Sequence, residues 1–228
     1  MDLRPLLIAA SLALTGCASR APTTAAASLG EWHDVVLPGK ELTRYGWSTK
    51  DGRRAIAAVS ERSASMWRRH VDVAPAGIGP VSFSWWVQDL VADGSVADAA
   101  REDAPARVLF SFRGDIARLT PRTRAVFELA EALTGEKPPF ATLMYVWDAS
   151  APVGSVIINS RSDRIRKIVI DSGPTHLRRW REHRRDLAAD YRLAFGEDPG
   201  ALTAIAVMTD SDNTRSRADT WYGPVQLD

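Results

Sequence analysis

Oxygen-bearing side chains gather near the C-terminal end of the sequence, in the run Asp210-Ser211-Asp212-Asn213. The run follows a nearly all-apolar stretch, Leu202 to Met208, which we interpret as a buried strand. Carboxylate and amide oxygens at alternate positions suit calcium, so Asp210, Asp212 and Asn213 are candidate metal ligands. An EF-hand loop requires a central Gly and a terminal Glu, which this run lacks. The alternative is a turn in which the carboxylates accept backbone N–H groups.

Acidic residues at predicted strand ends are candidates for hydrolytic chemistry. Glu102, Asp103, Asp115 and Asp148 are able to supply the carboxylate pair that glycoside hydrolysis requires. The alternative is that they are solvated turn residues. The sequence has no G-x-S-x-G elbow, phosphate-binding loop, dinucleotide fingerprint or H-E-x-x-H motif. These absences favour a binding module over an enzyme.

The chain contains 8 tryptophans in 228 residues. An exposed indole face is able to stack on a sugar ring, whereas a buried one fills a core. Trp85 and Trp86 are adjacent in a strand-like run, so their side chains point to opposite faces. If Trp85 lies in the core, Trp86 faces solvent, a helix or a ligand. Trp86 is therefore the first candidate for ligand binding, followed by Tyr145, Trp147 and Tyr222.

Basic residues are concentrated in one segment. It holds Arg178-Arg179, Arg181 and Arg184-Arg185, within a stretch from Leu177 to Phe195 that we interpret as the longest helix. Further basic residues lie nearby at Arg161, Arg164, Arg166 and Lys167. Such a cluster suits anionic glycans, lipopolysaccharide phosphates or phospholipid head groups. The alternative is a solvated helix face that neighbouring carboxylates neutralise. The net charge of +1 gives no general attraction to nucleic acid, which we do not expect as a partner.

Short strand-like runs with turn residues between them make up most of the chain. The alternation is clearest in Val81 to Val87 and in Ala106 to Arg113, where Phe110 points inward and Arg107 outward. We expect these two runs to be neighbouring strands of the core. Further strands are predicted at 32–37, 42–47, 54–60, 65–73, 143–148, 155–159, 164–170, 202–208 and 220–227.

Two predicted helices interrupt this pattern. One extends from Pro121 to Leu133 and the other from Leu177 to Phe195. The first has an apolar stripe of Val126, Leu129, Ala130 and Leu133. We therefore predict a mainly β protein, a jelly-roll-like β-sandwich with two helical insertions. An α/β fold is the alternative, but no repeated βαβ spacing is present.

The N-terminal stretch indicates where the chain resides. Leu6 to Leu14 is an apolar run of signal-peptide length. It leads into Leu14-Thr15-Gly16-Cys17, which resembles the bacterial lipobox, in which cleavage precedes the cysteine and the thiol is lipidated. We predict a signal peptide over residues 1–16, lipidated Cys17 and a flexible tether over 17–30, and a single globular domain over 31–228. The alternatives are an ordinary signal peptide or a buried N-terminal helix.

Cys17 is the only cysteine, so its lipidation leaves no thiol for a disulfide, for catalysis or for a metal. Several acyl chains on one residue attach a protein durably to a membrane, whereas one chain gives only marginal binding. Ala18 and Ser19 follow the cysteine, in place of the Asp typical of inner-membrane lipoproteins. The resemblance therefore implies an outer-membrane lipoprotein that faces the periplasm, with the inner membrane as the alternative.

Several motifs together resemble one bacterial family. They are Ala104-Pro105-Ala106-Arg107-Val108, Leu143-Met144-Tyr145-Val146-Trp147, Arg185-Asp186-Leu187-Ala188-Ala189-Asp190-Tyr191, Met208-Thr209-Asp210-Ser211-Asp212-Asn213-Thr214 and Trp221-Tyr222-Gly223. The family is catalogued as domain of unknown function 3047, and the resemblance covers Trp32 to Leu227. The spacing is also similar to that of galactose-binding-like jelly-roll domains, which implies glycan binding.

These features predict a lipid-anchored cell-envelope protein that binds a glycan or another envelope component, such as an envelope protein. No cofactor is expected, apart from calcium at the acidic run. One alternative is a carbohydrate-active hydrolase or lyase that uses strand-end carboxylates. Another is a structural lipoprotein that docks a second protein through an exposed apolar patch.

Overall fold

A computed structural model of the chain describes residues 30–228. The predicted signal peptide, Cys17 and nearly all of the tether lie outside these residues. The strands are β1 Trp32–Val36, β2 Arg44–Lys50, β3 Arg53–Glu61, β4 Ala64–Val73, β5 Pro80–Val87, β6 Ala104–Phe112, β7 Ala141–Asp148, β8 Val156–Ile158, β9 Ile165–Ser172, β10 Trp180–Asp186, β11 Leu202–Asp210, β12 Arg217–Tyr222 and β13 Gln226–Leu227. The α-helices are α1 Pro121–Thr134 and α2 Leu187–Phe195, and 3-10 helices cover Pro75–Gly77 and Ile116–Arg118. None of the helices described has the length and apolar character needed to cross a membrane.

The strands form two sheets. A seven-stranded sheet has the order β1-β4-β11-β6-β7-β9-β8, and a six-stranded sheet has the order β10-β5-β12-β3-β2, with β13 also paired to β5. The pairing of β7 with β9 is parallel, and β6 and β11 pair antiparallel with their neighbours. The helix α1 lies in the connection from β6 to β7, and α2 in the connection from β10 to β11.

One large apolar core lies between the sheets. It includes Trp85 of β5, Phe110 of β6 and Tyr145 of β7, and α2 adds Leu187 and Tyr191 at its edge. These side chains are buried because strand alternation turns every second residue of each sheet toward the other sheet. The prediction of a mainly β, jelly-roll-like sandwich with two helices is confirmed.

The expected pairing of Val81 to Val87 with Ala106 to Arg113 is wrong. These runs are β5 and β6, which belong to different sheets and meet face to face across the core. Their inward faces were nevertheless assigned correctly, since Trp85 and Phe110 are both 0% exposed. The segment between β5 and β6 therefore crosses from one sheet to the other.

The predicted helix from Leu177 to Phe195 is also wrong over its first half. Residues 180–186 form β10, which pairs antiparallel with β5, and only Leu187–Phe195 is helical. The helix begins after Asp186, whose side chain accepts a hydrogen bond from the Ala189 N–H at 2.9 Å. Pairing with β5 outweighs the helical preference of the Arg-rich sequence, and the inward Arg181 and Arg185 donate to the buried carboxylates of Asp171 and Asp190.

The predicted apolar stripe of α1 faces away from the core. Val126, Leu129 and Leu133 are 40%, 60% and 64% exposed, whereas Phe127 and Thr123 are buried. The helix bounds were predicted closely because Thr120 caps the start and Gly135 ends the helix in a left-handed conformation. The buried side of α1 is set by Phe127, a single large anchor, and not by the longer stripe of smaller side chains.

Candidate functional site

A groove lies on the face of the seven-stranded sheet that points away from the core. Because Val108, Phe110 and Phe112 of β6 face the core, Arg107 and Leu109 face the groove. The cavity has a volume of about 280 Å³. Its lining residues come from β4, β6, β7, β9 and β11 of the sheet and from the loops around them.

The floor of the groove is apolar. Leu109 is the register partner of Ala206 on one side and of Met144 on the other. Met66 and Met208, which are also register partners, extend this floor toward β4. Small and flexible apolar side chains in adjacent strands give a surface able to fit the apolar face of a ligand.

Charged side chains close one end of the groove. We call Glu102, Arg107, Lys167 and Asp210 the ion cluster. Arg107 is 1% exposed and donates two hydrogen bonds to Asp210, from Nε to Oδ1 at 3.0 Å and from Nη2 to Oδ2 at 2.8 Å. Its Nη2 also donates to the backbone carbonyl of Glu102 at 2.7 Å, and its Nη1 lies 3.7 Å from Glu102 Oε1.

The second cation of the cluster is Lys167 on β9. Its ammonium lies 2.6 Å from Glu102 Oε1 and donates to the Val96 carbonyl at 2.8 Å, with the side chain 1% exposed. Burial lowers the pKa of Lys167, and the nearby Arg107 guanidinium lowers it further. Asn159 donates to the same Glu102 oxygen at 2.8 Å, so Glu102 is held at the groove end by three groups.

Burial raises the pKa of Asp210 to about 6, although the Arg107 guanidinium opposes this shift. Asp210 also accepts a hydrogen bond from the Ala104 N–H at 3.0 Å. A buried carboxyl that titrates near neutral pH, beside a lysine of lowered pKa and next to a cavity, is typical of functional sites. The cluster therefore has the groups needed to bind polar ligand atoms and to exchange protons with them.

The predicted calcium ligands meet in part at this end of the groove. Carboxylate oxygens of Asp210, Asp212 and Asp103 lie within 4.8 Å of one another, and sequence analysis had not placed Asp103 among the metal ligands. Asp103 accepts from the Thr214 N–H at 2.7 Å and from the Asn213 N–H at 3.2 Å, as in the alternative turn interpretation. Asp212 forms an ion pair with Lys40.

The side chain of Asn213 does not join these carboxylates through its amide donors. Its Nδ2 lies 3.5 Å from the Ala99 carbonyl and 3.4 Å from the Ala100 carbonyl. Calcium binding here is untested, and it would require Lys40 to leave Asp212 and Arg107 to leave Asp210.

Three of the four aromatic side chains predicted to bind ligand lie in the core, and these assignments are corrected. Tyr145, Trp147 and Tyr222 are each 0% exposed. Tyr145 donates to Asp190 at 2.6 Å, Trp147 donates to the Gly173 carbonyl at 3.1 Å, and Tyr222 donates to the Met208 carbonyl at 2.7 Å. Their polar atoms are satisfied inside the protein, so they are not available to stack on a sugar.

Trp86 lies, as alternation predicts, on the outward face of the six-stranded sheet. It is only 6% exposed, because the Lys50 side chain and the Trp221 ring cover it. A ligand reaches the face of this ring only after Lys50 moves.

The predicted basic cluster is divided between two faces of β10. Arg181 points inward to Asp171 at 2.9 Å and Arg185 to Asp190 at 2.6 Å. Arg184 lies on the outer face and pairs with Asp228, whereas Arg178 precedes β10 and pairs with Asp89. These ion pairs neutralise four of the five arginines, in line with the solvated-face alternative for the outer residues, and Arg179 instead donates to the Thr175 carbonyl at 2.7 Å.

Arg107 was not among the candidate residues predicted from the sequence, and Lys167 was named only as a neighbour of the basic cluster. The signal for Arg107 in the sequence was an outward-facing arginine shortly after the acidic pair Glu102 and Asp103. The pairing of β6 with β11, which no local pattern reveals, brings these charges together.

Comparisons with known proteins identify a family and distant structural neighbours. The profile of the family described as "Protein of unknown function (DUF3047)" matches residues 30–226. No curated protein matches the chain. The chain is similar to the family 11 carbohydrate-binding module of a cellulosomal cellulase of Clostridium thermocellum, with a TM-score of 0.40, 8% identity and 87% of each chain covered.

Two further solved structures are similar at the same level. One is the xyloglucanase domain of NopAA, a type three effector from Sinorhizobium fredii in complex with cellobiose, with a TM-score of 0.43, 9% identity, and 86% of this chain and 93% of that chain covered. The other is the family 11 xylanase from Neocallimastix patriciarum, with a TM-score of 0.33, 10% identity, and 86% and 97% covered.

Proposed function

This chain belongs to the DUF3047 family of proteins of unknown function, and we propose that it is a lipid-anchored envelope protein that binds a glycan in the groove. The family resemblance seen in the sequence is confirmed. One observation carries the proposal: a cluster of buried charged side chains opens onto a cavity whose floor is apolar. A ligand with apolar faces and many hydroxyl groups matches both parts.

The two halves of the groove supply complementary contacts to a sugar chain. Leu109, Ala206 and the methionines offer an apolar surface to the C–H faces of sugar rings. Glu102, Arg107 and Asp210 line one end of the groove, where hydroxyl groups of a ligand would replace some of the hydrogen bonds that these side chains make to one another. The proposed site lies on the seven-stranded sheet, away from the aromatic surface that the sequence suggested.

The lipid anchor and the envelope location are the second part of the proposal. They are supported by the order of features in the sequence: a basic head, the apolar run Leu6 to Leu14, and Leu14-Thr15-Gly16-Cys17. Ala18 and Ser19 support the outer membrane, with the domain facing the periplasm. A glycan of the periplasm is then within reach of a domain held by a short tether.

A hydrolase is the second candidate function, because Glu102 and Asp210 approach one guanidinium in the groove. Arg107 Nη1 lies 3.7 Å from Glu102 Oε1, and Nη2 lies 2.8 Å from Asp210 Oδ2. With its pKa raised to about 6, Asp210 suits a general acid, and the ion-paired Glu102 suits the second carboxylate.

Ala206→Leu tests the binding proposal without altering a charge. Ala206 is buried in the floor of the groove, so a larger side chain fills space that a ligand would use. Ala57→Leu is the matched control, because Ala57 lies on the outward face of the other sheet. Full-length protein is titrated in a calorimeter with soluble muropeptides, lipopolysaccharide core oligosaccharide and cellohexaose.

We expect one of these glycans to bind the wild type and the Ala57→Leu variant equally. We expect at least a tenfold weaker affinity in the Ala206→Leu variant. Equal binding to both variants contradicts the groove, and no binding of any glycan contradicts the proposed ligand class. Release of new reducing ends on long incubation, lost in Glu102→Gln and Asp210→Asn, would favour the hydrolase.

A further inference from the structure

Three tryptophans lie side by side on the outward face of the six-stranded sheet. Trp180 of β10 is the register partner of Trp86, and Trp86 is the register partner of Trp221 of β12. The Trp86 and Trp221 rings are perpendicular, with an interplanar angle of 88° and centroids 5.1 Å apart. The two rings thus form two walls of a cage.

The ammonium group of Lys50 occupies this cage. Its Nζ lies 3.5 Å from the centroid of the Trp86 ring and 4.4 Å from that of Trp221. Within residues 30–228, no carboxylate oxygen lies within 4.0 Å of this ammonium. The two aromatic rings therefore take the place of a counterion, which is the way aromatic cages bind alkylammonium ligands.

The position of Lys50 in the chain allows it to leave the cage. It is the last residue of β2, directly before the turn Asp51-Gly52, and both turn residues have positive φ. Arg53, on the other side of the turn, lies over the third ring, with its guanidinium 5.2 Å from the Trp180 centroid. One hairpin thus covers the whole tryptophan row with two cations.

The indole N–H groups on this face are incompletely satisfied. Nε1 of Trp86 and Nε1 of Trp180 are buried without an acceptor among the described residues. A ligand that carries an oxygen acceptor next to its ammonium group would pair with such a donor once the covering side chain has moved.

We infer that the Trp86–Trp221 cage is a binding site for the alkylammonium group of a ligand, and that Lys50 is the internal occupant which this ligand displaces. The site is separate from the groove, because it lies on the outward face of the opposite sheet. A primary ammonium, as in ethanolamine head groups, and a quaternary ammonium, as in choline head groups, share the required chemistry.

Lys50→Ala tests this inference by emptying the cage. Full-length wild-type and variant proteins are titrated with choline chloride, tetramethylammonium chloride and ethylammonium chloride at constant chloride, and tryptophan fluorescence is followed. We expect the variant to bind at least about fivefold more tightly than the wild type, because the competing internal contact is gone. Quaternary ions binding more tightly than ethylammonium indicates the choline class, and the reverse order indicates the ethanolamine class.

Two controls make the result specific. Arg54→Ala removes a similar cation, 4.4 Å from the Trp47 centroid, and is expected to leave affinity unchanged. The uncharged choline analogue 3,3-dimethylbutan-1-ol is expected not to bind. Lys50→Gln, which retains a long side chain, replaces Lys50→Ala if the melting temperature of the alanine variant falls. The inference is overturned if the Lys50 variant binds no more tightly than the wild type, or if the uncharged analogue binds equally well.

Discussion

Arg107→Met removes one of the buried charges of the groove and gives the most direct test of the ion cluster. The change removes the guanidinium that pairs with Asp210 at two points, and the Ala104 N–H is then the one remaining partner of the Asp210 carboxylate within residues 30–228. Breaking a buried ion pair on one side typically costs about 3–5 kcal/mol, because the remaining charge is left buried and unpaired. We therefore expect the free energy of unfolding at pH 8 to fall by about 3–5 kcal/mol.

The effect should depend on pH with a definite sign. Burial raises the pKa of Asp210 to about 6 from 3.8, and loss of the Arg107 guanidinium raises it further. A folded-state carboxyl with a raised pKa binds its proton more tightly than the unfolded chain does. Its contribution to stability is therefore largest below pH 3.8 and is lost as the pH rises through the folded-state pKa. The deficit of Arg107→Met should thus be smaller at pH 5 than at pH 8.

Urea unfolding of the wild type, Arg107→Met, and the double variant Arg107→Met with Asp210→Asn measures both effects. We expect the double variant to recover to within about 1–2 kcal/mol of the wild type, since both charges of the pair are then gone. Arg184→Met is the control: its pair with Asp228 is exposed, and its loss should cost less than about 0.5 kcal/mol. The reasoning is refuted if Arg107→Met costs no more than this control, or if its deficit grows as the pH is lowered.

Three further predictions concern other parts of the chain. Asp171→Asn should destabilise the protein by about 2–4 kcal/mol at pH 7, because hydrogen bonds from His183 and Arg181 outweigh burial and hold the pKa of Asp171 below 3.8. Stability from a lowered pKa is present above the usual value and lost in acid, so urea unfolding should show this difference shrinking below pH 4. Cys17→Ala should abolish incorporation of radiolabelled palmitate and release the protein from washed membranes, whereas retained label would exclude a lipid on this thiol. Calcium at about 5 mM should leave the melting temperature unchanged, since cations of the chain already pair with the carboxylates; an increase that Asp212→Asn abolishes would instead establish the metal site.

Local alternation predicted which way side chains point, but not which strands pair. Trp85 and Trp86 were assigned to opposite faces correctly, because successive residues of a strand always alternate. The partner of a strand depends on residues far away in the chain. The sequences of β5 and β6 show the same alternation of apolar residues, although the two strands lie in different sheets. The same limit explains why the Arg-rich segment was predicted to be helical. Its inward arginines donate to Asp171 and Asp190, which lie elsewhere in the chain and make a buried strand possible.

At the site, too, the sequence predicted the direction in which side chains point but not the residues that surround them. Arg107 was predicted to point away from the core, and it does so, but it is 1% exposed because Glu102 and Asp210 lie against it. Conversely, Tyr145 was predicted to bind ligand, yet its ring is buried and its hydroxyl group donates to Asp190 inside the sandwich. A polar atom indicates a partner, and only the fold decides whether the partner is a ligand or another residue.

The position of the ion cluster favours a role in ligand binding over a role in stability. Buried ion pairs are often replaced by apolar residues of similar size without loss of stability, so a fold alone does not require Arg107, Lys167 and their carboxylates at this place. The double variant that loses both Arg107 and Asp210 charges separates the two roles, since it keeps the sheet and the apolar floor intact. If it is as stable as the wild type but no longer binds the glycan that the groove selects, the charges are there for the ligand. If it binds unchanged, the cluster serves the fold, and the polar half of the proposed site has no part in recognition.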